Sequence, residues 1–303
     1  MSAADTIFLT PWWQEIWWRH FGGQVQQMVL TVEDGNSLLG IAPLIRQGET
    51  IYLMGDPDLF DHQDFLPVSN QEDAFYNGMF DYLCSQEWKN LSLRSLRPTS
   101  TTLKHLPELC KRHGFTFHIE EDGETPAVTL PKTWDEYVAS LEKKKRHELR
   151  RKIRRLEAAG TVRQRTCTSP AGLSRDMDQF FELMRASRDD KRQFLTAERE
   201  AFFRDIATES AERGQFHLSF LELNEECVAA CIAFDYGDAY LLYNSGFNPA
   251  YASLSVGLIN KAFCLREAIE AGKHTFDFLK GPERYKFDLG GVNQLLYRIE
   301  VSR

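Results

Sequence analysis

Two tandem α/β units are the fold class that this 303-residue sequence predicts, and three observations predict it. The first is length, because a chain this long divides naturally into two domains of roughly 100 to 200 residues. The second is a repeated order of elements in the two halves, which points to an internal structural duplication even though the halves share no obvious residue identity. The third is the stretch Tyr251-Ala-Ser-Leu-Ser-Val-Gly257-Leu-Ile, a small-residue turn between a strand-like run and a helix. A helix N-terminus behind such a turn offers unpaired N–H groups and the positive end of a dipole, which suits a phosphate.

The first half opens on a short aromatic helix. Thr10 and Pro11 form an N-cap and N1 pair, with Trp13, Ile16, Trp17 and Phe21 near one face. The cluster Trp12, Trp13, Trp17 and Trp18 reads as core rather than as a carbohydrate or membrane platform. Strand-like runs follow at 26–33, 38–46 and 50–54, with Asp34-Gly35 as a hairpin turn. A helix at 71–87, a strand at 90–95, a helix at 100–113 and strands at 115–120 and 126–130 complete this half. Between its elements lies the acidic loop from Asp56 through Asp61-His62-Gln-Asp64. It lacks a further ligand at metal spacing, so no metal is expected, and Asp61 and Asp64 are candidates for holding an amine or a sugar hydroxyl.

The second half repeats the order. Helices are expected at 133–159, 171–188 and 196–213, then strands at 216–223, 227–235 and 239–247, with Tyr236-Gly237-Asp238 as a turn. A helix over about 256–271 ends at Gly272 as its C-cap, and strands follow at 274–279 and about 293–301. The division between domains is expected at 130/131, giving 1–130 and 131–303.

Composition narrows the class. With 43% hydrophobic and 26% charged residues the chain has the balance of a soluble globular protein. No run reaches the roughly 18 to 20 apolar residues of a membrane span, and no leader pattern opens the sequence, so a cytoplasmic location is expected. The six cysteines are scattered without metal-ligand spacing; Cys227 and Cys231 share a face of one strand and read as buried thiols. Net charge is −8, yet the segment 143–155 carries nine Lys or Arg against Glu148 alone, which leaves −16 on the remainder. Its apolar stripe is only Leu149, Ile153 and Leu156, a narrow docking seam. Arg146 and Arg150 on this element are candidates for a nucleotide- or lipid-linked phosphate, a tRNA acceptor stem or an anionic surface; a plain solvated helix is the alternative.

Several segments together carry a family likeness. They are Tyr243-Asn-Ser-Gly-Phe-Asn-Pro-Ala-Tyr251, Leu254-Ser-Val-Gly257-Leu, Phe276-Asp277-Phe-Leu-Lys-Gly281, Glu283-Arg-Tyr285-Lys286-Phe and the basic run ending at Gly160. With them the chain resembles the GNAT acyltransferase superfamily, and within it the two-domain branch of cellulose-biosynthesis acetyltransferases and Fem-type aminoacyl transferases. The resemblance implies tandem GNAT-like domains, each a mixed, mainly antiparallel twisted sheet flanked by helices. The first is then a degenerate copy that shapes the acceptor site, and the second holds the donor. It implies acetyl-CoA or another acyl-CoA as donor, with its pyrophosphate at Leu254, Ser255, Val256, Gly257 and Leu258. The superfamily's signature, Arg or Gln, two residues, Gly, one residue, then Gly or Ala, is reduced here to Gly257, with Leu254 and Ile259 at its ends. Aminoacyl-tRNA, the donor of the Fem-type branch, therefore stays open, although the long helical arm usual in that branch is not visible. An inactive scaffold protein of envelope polysaccharide synthesis is the third reading.

Acyl transfer needs a proton acceptor and a positive partner for the oxyanion, and no covalent nucleophile when both substrates share one site. Lys286, just past the strand at 274–279, is the first choice for the oxyanion or a phosphate, a role that the likeness to the Fem-type Tyr/Phe-Lys pair also implies. Tyr285 is a candidate acid, and Asp277, placed by alternation opposite Phe276 and Phe278, is a candidate base or an orienter of Lys286. Glu283 is the alternative base. Arg188 and Lys191 read as dipole-matched cations at a helix C-terminus, while the resemblance places them near the acceptor pocket; Tyr243 is grouped with them as substrate-binding. The acceptor expected is an amine or hydroxyl of a sugar, polysaccharide precursor or peptide.

Overall fold

The computed structural model describes residues 4–303, which form two compact units. One comprises residues up to Glu124 together with Gln294–Arg303, and the other Thr125–Asn293. The expected break at 130/131 thus falls a few residues late, and the expected last strand of the second half belongs to the first unit.

In the first unit the order is α1 (Pro11–Phe21), β1 (Gln26–Asp34), β2 (Ser37–Gln47), β3 (Thr50–Leu53), β4 (Leu66–Pro67), α2 (Glu72–Ser85), β5 (Asn90–Leu96), α3 (Thr101–His113) and β6 (Thr116–Glu124). The sheet runs β1-β2-β3-β5-β13-β6, where β13 is Leu295–Ser302, and β4 pairs with β2. Only β3 and β5 pair in parallel. Alternation sorts the faces: Leu91 and Leu93 of β5 and Ile299 and Val301 of β13 point into a core with Phe75, Met79 and Phe80 of α2 and Leu106 and Leu109 of α3. Of the four tryptophans of α1 expected in the core, Trp13 and Trp17 are there and meet Phe60 edge to face at 6.2 and 6.0 Å, while Trp12 and Trp18 are half-buried.

The second unit contains β7 (Ala127–Thr129), α4 (Trp134–Ser140), α5 (Lys143–Glu157), β8 (Val162–Cys167), α6 (Leu173–Ser187), α7 (Asp189–Phe194), α8 (Ala197–Glu212), β9 (Phe216–Leu223), β10 (Glu226–Tyr236), β11 (Ala239–Phe247), α9 (Val256–Glu270), β12 (Thr275–Asp277) and α10 (Arg284–Asp288). Its sheet runs β7-β12-β11-β10-β9-β8, with β11 and β12 parallel and the other pairs antiparallel. Both sheets are therefore mixed and mainly antiparallel, as expected.

Several local expectations are corrected. The helix expected over 133–159 is two, because Leu141 takes an extended conformation and buries its side chain between them. The segment at 162–167 is a strand without a hydrophobic run, Val-Arg-Gln-Arg-Thr-Cys, because it lies at the sheet edge and pairs with β9 alone. The strand placed at 126–130 in the first half pairs with β12 in the second sheet. Among the described residues no helix is long and apolar enough to cross a membrane.

Candidate active site

The site begins where two parallel strands part. β11 and β12 pair through Ala239–Thr275, Tyr240–Phe276 and Leu241–Asp277; beyond that register β11 continues to Phe247 while the other chain turns away. The turn is abrupt, since Leu279 takes φ 57° and Gly281 φ 125°. A leucine in the left-handed region is unusual and must be held there. Two predicted catalytic residues hold it. Asp277 accepts a hydrogen bond from the Leu279 N–H at 2.8 Å and from the Thr125 hydroxyl at 3.1 Å. Lys286 Nζ donates to the Leu279 carbonyl at 2.8 Å, to the Lys280 carbonyl at 2.9 Å and to Glu283 Oε2 at 2.9 Å. An ammonium has three protons, and here three acceptors take them. Lys286 is also only 2% exposed, so the geometry makes it and Asp277 clamps on one wall of the gap. Burial works to raise the Glu283 carboxyl, but the Lys286 ammonium overrides it and holds that acid below its ordinary range, which makes Glu283 a weak base.

Across the gap the cations are arranged differently. Lys191 of α7 donates from Nζ to the carbonyl of Ser245, to Asn244 Oδ1 at 3.2 Å and to the Ser245 hydroxyl at 3.5 Å, all on the stretch of β11 that still pairs with β10 but has left β12. Burial, reinforced by the Lys261 cation, pushes its pKa down to about 8. Lys261, on α9, is 6% exposed; its Nζ bonds the Gly257 carbonyl at 3.1 Å and lies 4.7 Å from the centre of the Tyr285 ring. Tyr285 is half-buried, and desolvation with the Glu283 charge pushes its hydroxyl well above the ordinary range, so it is neutral and a poor acid. Beneath lies Cys231 on β10, which accepts from Asn260 Nδ2 at 3.2 Å; burial raises its pKa, but the Cys264 thiol, Lys261, Lys191 and Asn260 together bring it down.

Lys191 reaches β11 because α6 does. A Cβ at Gly246 would come within 2.3 Å of the Met184 nitrogen and 2.5 Å of the Leu183 carbonyl carbon, so glycine lets the last turn of α6 touch the strand. From there the chain leads directly into α7. β11 also carries a bulge at Tyr243, between the pairs Ile232–Asn244 and Ala233–Leu242, two residues past its last contact with β12. Tyr243 itself faces aromatic packing, with ring centres 5.5 Å from Phe203 and 5.3 Å from Phe234.

The turn into α9 follows a 3-10 helix, Pro249–Leu254, started by Asn248 accepting from Ala250 N at 3.0 Å. Ser255 adopts φ 59°, and its carbonyl takes both Leu258 N–H at 3.1 Å and Ile259 N–H at 3.0 Å. The amides of Val256 and Gly257 have no partner among the described residues, and they are what the turn offers an anion. Gly257 is spared a side chain by the Phe247 ring, 3.3 Å from a built Cβ, rather than by a backbone approach. Arg155 of α5 bonds the Ser253 carbonyl and lies 3.5 Å from the Ser255 hydroxyl, so the basic helix reaches the turn. Beside it a cavity of about 340 Å³ is lined by cations such as Lys144 and Lys152, by the acids Glu142, Glu148 and Asp288, and by Leu258.

The remaining predicted residues lie as follows. Arg146 donates to the Ala139 carbonyl at 2.8 Å and ties α5 to α4. Arg150 is exposed, with no hydrogen-bonding or ion-pairing side chain among the described residues. Arg188 forms a two-pronged pair with Asp190 at 2.9 and 2.6 Å. In the first unit Asp61 is half-buried, while Asp64 is buried and accepts from Thr102 Oγ1 at 2.5 Å and Phe65 N at 2.8 Å. Burial raises Asp64 to about 6 against those bonds, so it serves the interior of its loop. No group of three His, Cys, Asp or Glu side chains among the described residues is arranged to hold a metal. The sequence reading missed Lys261, Gly246 and the contact from Arg155. For Lys261 a signal was present: Asn260-Lys261 interrupts an otherwise apolar helix from Val256 to Leu265.

Residues 143–287 match the model of a GNAT acetyltransferase domain. No curated protein is significantly similar in sequence. Among solved structures, FemX aligns over 98% of this chain and 92% of its own at 12% identity and a TM-score of 0.66. The C-terminal domain of a protein named as a lysylphosphatidylglycerol synthetase of Agrobacterium fabrum aligns over 100% and 88% at 12% identity and 0.60. L-PGS from Bacillus licheniformis aligns over 97% and 92% at 12% identity and 0.59. At such identities the likeness is one of fold.

Proposed function

The segment 143–287 belongs to the GNAT acetyltransferase family, and from that premise we propose that the protein is an acyltransferase. It moves an acyl group, in the simplest case acetyl, from acyl-CoA to an amine or hydroxyl of a sugar, polysaccharide precursor or peptide. One observation carries the reading: β11 and β12 part beyond Leu241 and Asp277, with half-buried Lys191 and buried Lys261 beside the gap and the open amides of α9 past the end of β11. A thioester carbonyl in that gap would develop its negative charge beside Lys261, where low polarity makes the attraction strong. The donor's pyrophosphate would lie on the Val256 and Gly257 amides beside Arg155. Attack is direct, and effective concentration replaces a covalent relay. Lys191, with its pKa near 8, accepts the proton from the acceptor. Lys286 and Asp277 keep the wall in shape, and Tyr285 supports Lys261. The reading implies a cytoplasmic site of action, where acyl-CoA is made and used.

A second reading, aminoacyl-tRNA as donor, is favoured by α5. Its Lys143, Lys144, Arg150 and Lys152 make no side-chain hydrogen bond or close ion pair among the described residues, and such a density of cations suits a phosphate backbone. One experiment separates the readings. Melting of the purified chain is followed with millimolar acetyl-CoA and, separately, with charged tRNA. A ligand at 100 times its dissociation constant adds about 2.7 kcal/mol, so acetyl-CoA should raise the melting temperature by several degrees. A rise with charged tRNA alone would select the second reading, and no rise with either would point to a scaffold.

A further inference from the structure

We propose that the first unit holds a binding site for a neutral sugar, in a cavity where its own parallel strands part. This goes beyond the acyl-transfer reading, which concerns the second unit. β3 and β5 pair through Thr50–Asn90, Ile51–Leu91 and Tyr52–Ser92 and then separate, as β11 and β12 do. Beyond Ser92, Ser95 takes φ 57°, the angle of Leu279, and its N–H is held by Asp122 Oδ2 at 3.0 Å as Asp277 holds that of Leu279. A cavity of about 420 Å³ opens at this parting, and every residue lining it belongs to the first unit. That volume is within the roughly 300 to 1,000 Å³ of small-molecule sites.

The lining is of two kinds. Trp17, Phe21 and Tyr52 bring aromatic rings, and Ile45 adds an apolar side chain from β2. Ser92 and Arg94 alternate with the core residues Leu91 and Leu93, so they stand on the opposite face of β5, where the cavity lies. Several polar atoms of the lining are unspent. Trp17 is 4% exposed, and its indole N–H has no partner among the described residues. Asp122 takes Arg94 Nε at 3.0 Å and Nη2 at 2.6 Å, which leaves Nη1 without a hydrogen bond among the described residues. Gln63 is fixed by donating from Nε2 to the Met54 carbonyl at 2.9 Å, and its Oε1 stays an acceptor. A buried N–H without a partner is costly, so a ligand oxygen at Trp17 is favoured.

These features select the chemistry of the ligand. Among the described residues only Arg94 and Asp56 bring charge to the lining, and Arg94 is already matched by Asp122, which is 1% exposed. No surplus cation is left for a phosphate, so a nucleotide is disfavoured. Donors and acceptors share the cavity with aromatic rings, and the exposed Gln24 and Gln47 add two amides. A pyranose matches both kinds of wall: its C–H face packs on a ring, while each hydroxyl both donates and accepts.

The test follows the indole N–H signals of the full chain by NMR, with Trp17→Phe assigning that of Trp17. Glucose, N-acetylglucosamine or cellobiose at millimolar concentration should shift the Trp17 signal and leave that of Trp134, in the second unit, in place. Tyr52→Ala should weaken the binding about tenfold. Gln47→Ala, at an exposed position, should weaken it severalfold and serves if the tyrosine variant folds poorly. Tyr82→Ala, on α2 and outside the cavity, should change nothing. No shift with any of the three sugars overturns the inference. So does a shift with UDP alone, which would mark a phosphate site, and so does equal sugar binding by the unaltered chain and a folded cavity variant. None of these outcomes touches the acyl-CoA reading, whose measure is the melting temperature with acetyl-CoA.

Discussion

Lys286, singled out in the sequence by its position after a short strand, is engaged in the structure on the chain beside the gap. The sequence put it just past a short strand, beside Asp277, and both are indeed at the edge of the gap. In the structure they grip one peptide from its two sides, the N–H of Leu279 by Asp277 and its carbonyl by Lys286. Removing Lys286 would leave two carbonyls and the Glu283 carboxylate unmet. Because Glu283 is 44% exposed its loss counts for less than a fully buried partner. Lys286→Ala should therefore cost about 2 to 4 kcal/mol, read as a lower urea midpoint. A variant of unchanged stability but abolished transfer would return Lys286 to direct chemistry. Lys191 was visible only as one of several cations after a helix. What distinguishes it, the hydrogen bonds of its Nζ to Asn244 and Ser245 of β11, is a property of neighbours far along the chain.

Strands and helices were legible where their own pattern decided them. The period of α2 and the run from β9 to β11 are set by local alternation and lie where expected, and the β1–β2 hairpin turns one residue later than expected, at Gly35 and Asn36, with Asp34 still paired to Ser37. The break between α4 and α5 was not legible, because Leu141 fits a helical stripe and leaves the helix only to fill the core. Nor was β8, whose charged sequence is tolerated at an edge. Gly246 is an element-scale device: it sets how closely α6 approaches β11 and so where α7 delivers Lys191. Gly246→Ala should push the last turn of α6 away, at a cost of about 1 to 3 kcal/mol. It should also reduce acetyl transfer further than an equally destabilising substitution remote from β11. Equal activity losses in the two variants would show that Gly246 does not position Lys191.

At the scale of the whole molecule, the chain's last strand completes the sheet begun by its first. β13 lies between β5 and β6 and buries Leu296, Ile299 and Val301 completely. Each such side chain contributes about 1.5 to 3 kcal/mol on burial. A chain ending at Asn293 should therefore expose residues 1–124 to rapid proteolysis while 125–293 stays protected; uniform protection would show that the first sheet closes without β13. By itself the sequence determined the α/β plan and the strand–turn–helix at 239–271, because periodicity, turn residues and helix ends act over a few residues. Only the tertiary structure decided which sheet β7 and β13 join and which carbonyls Lys191 and Lys286 bind. Those outcomes depend on hydrogen-bond partners and burial brought together from distant parts of the chain, and no local pattern encodes them.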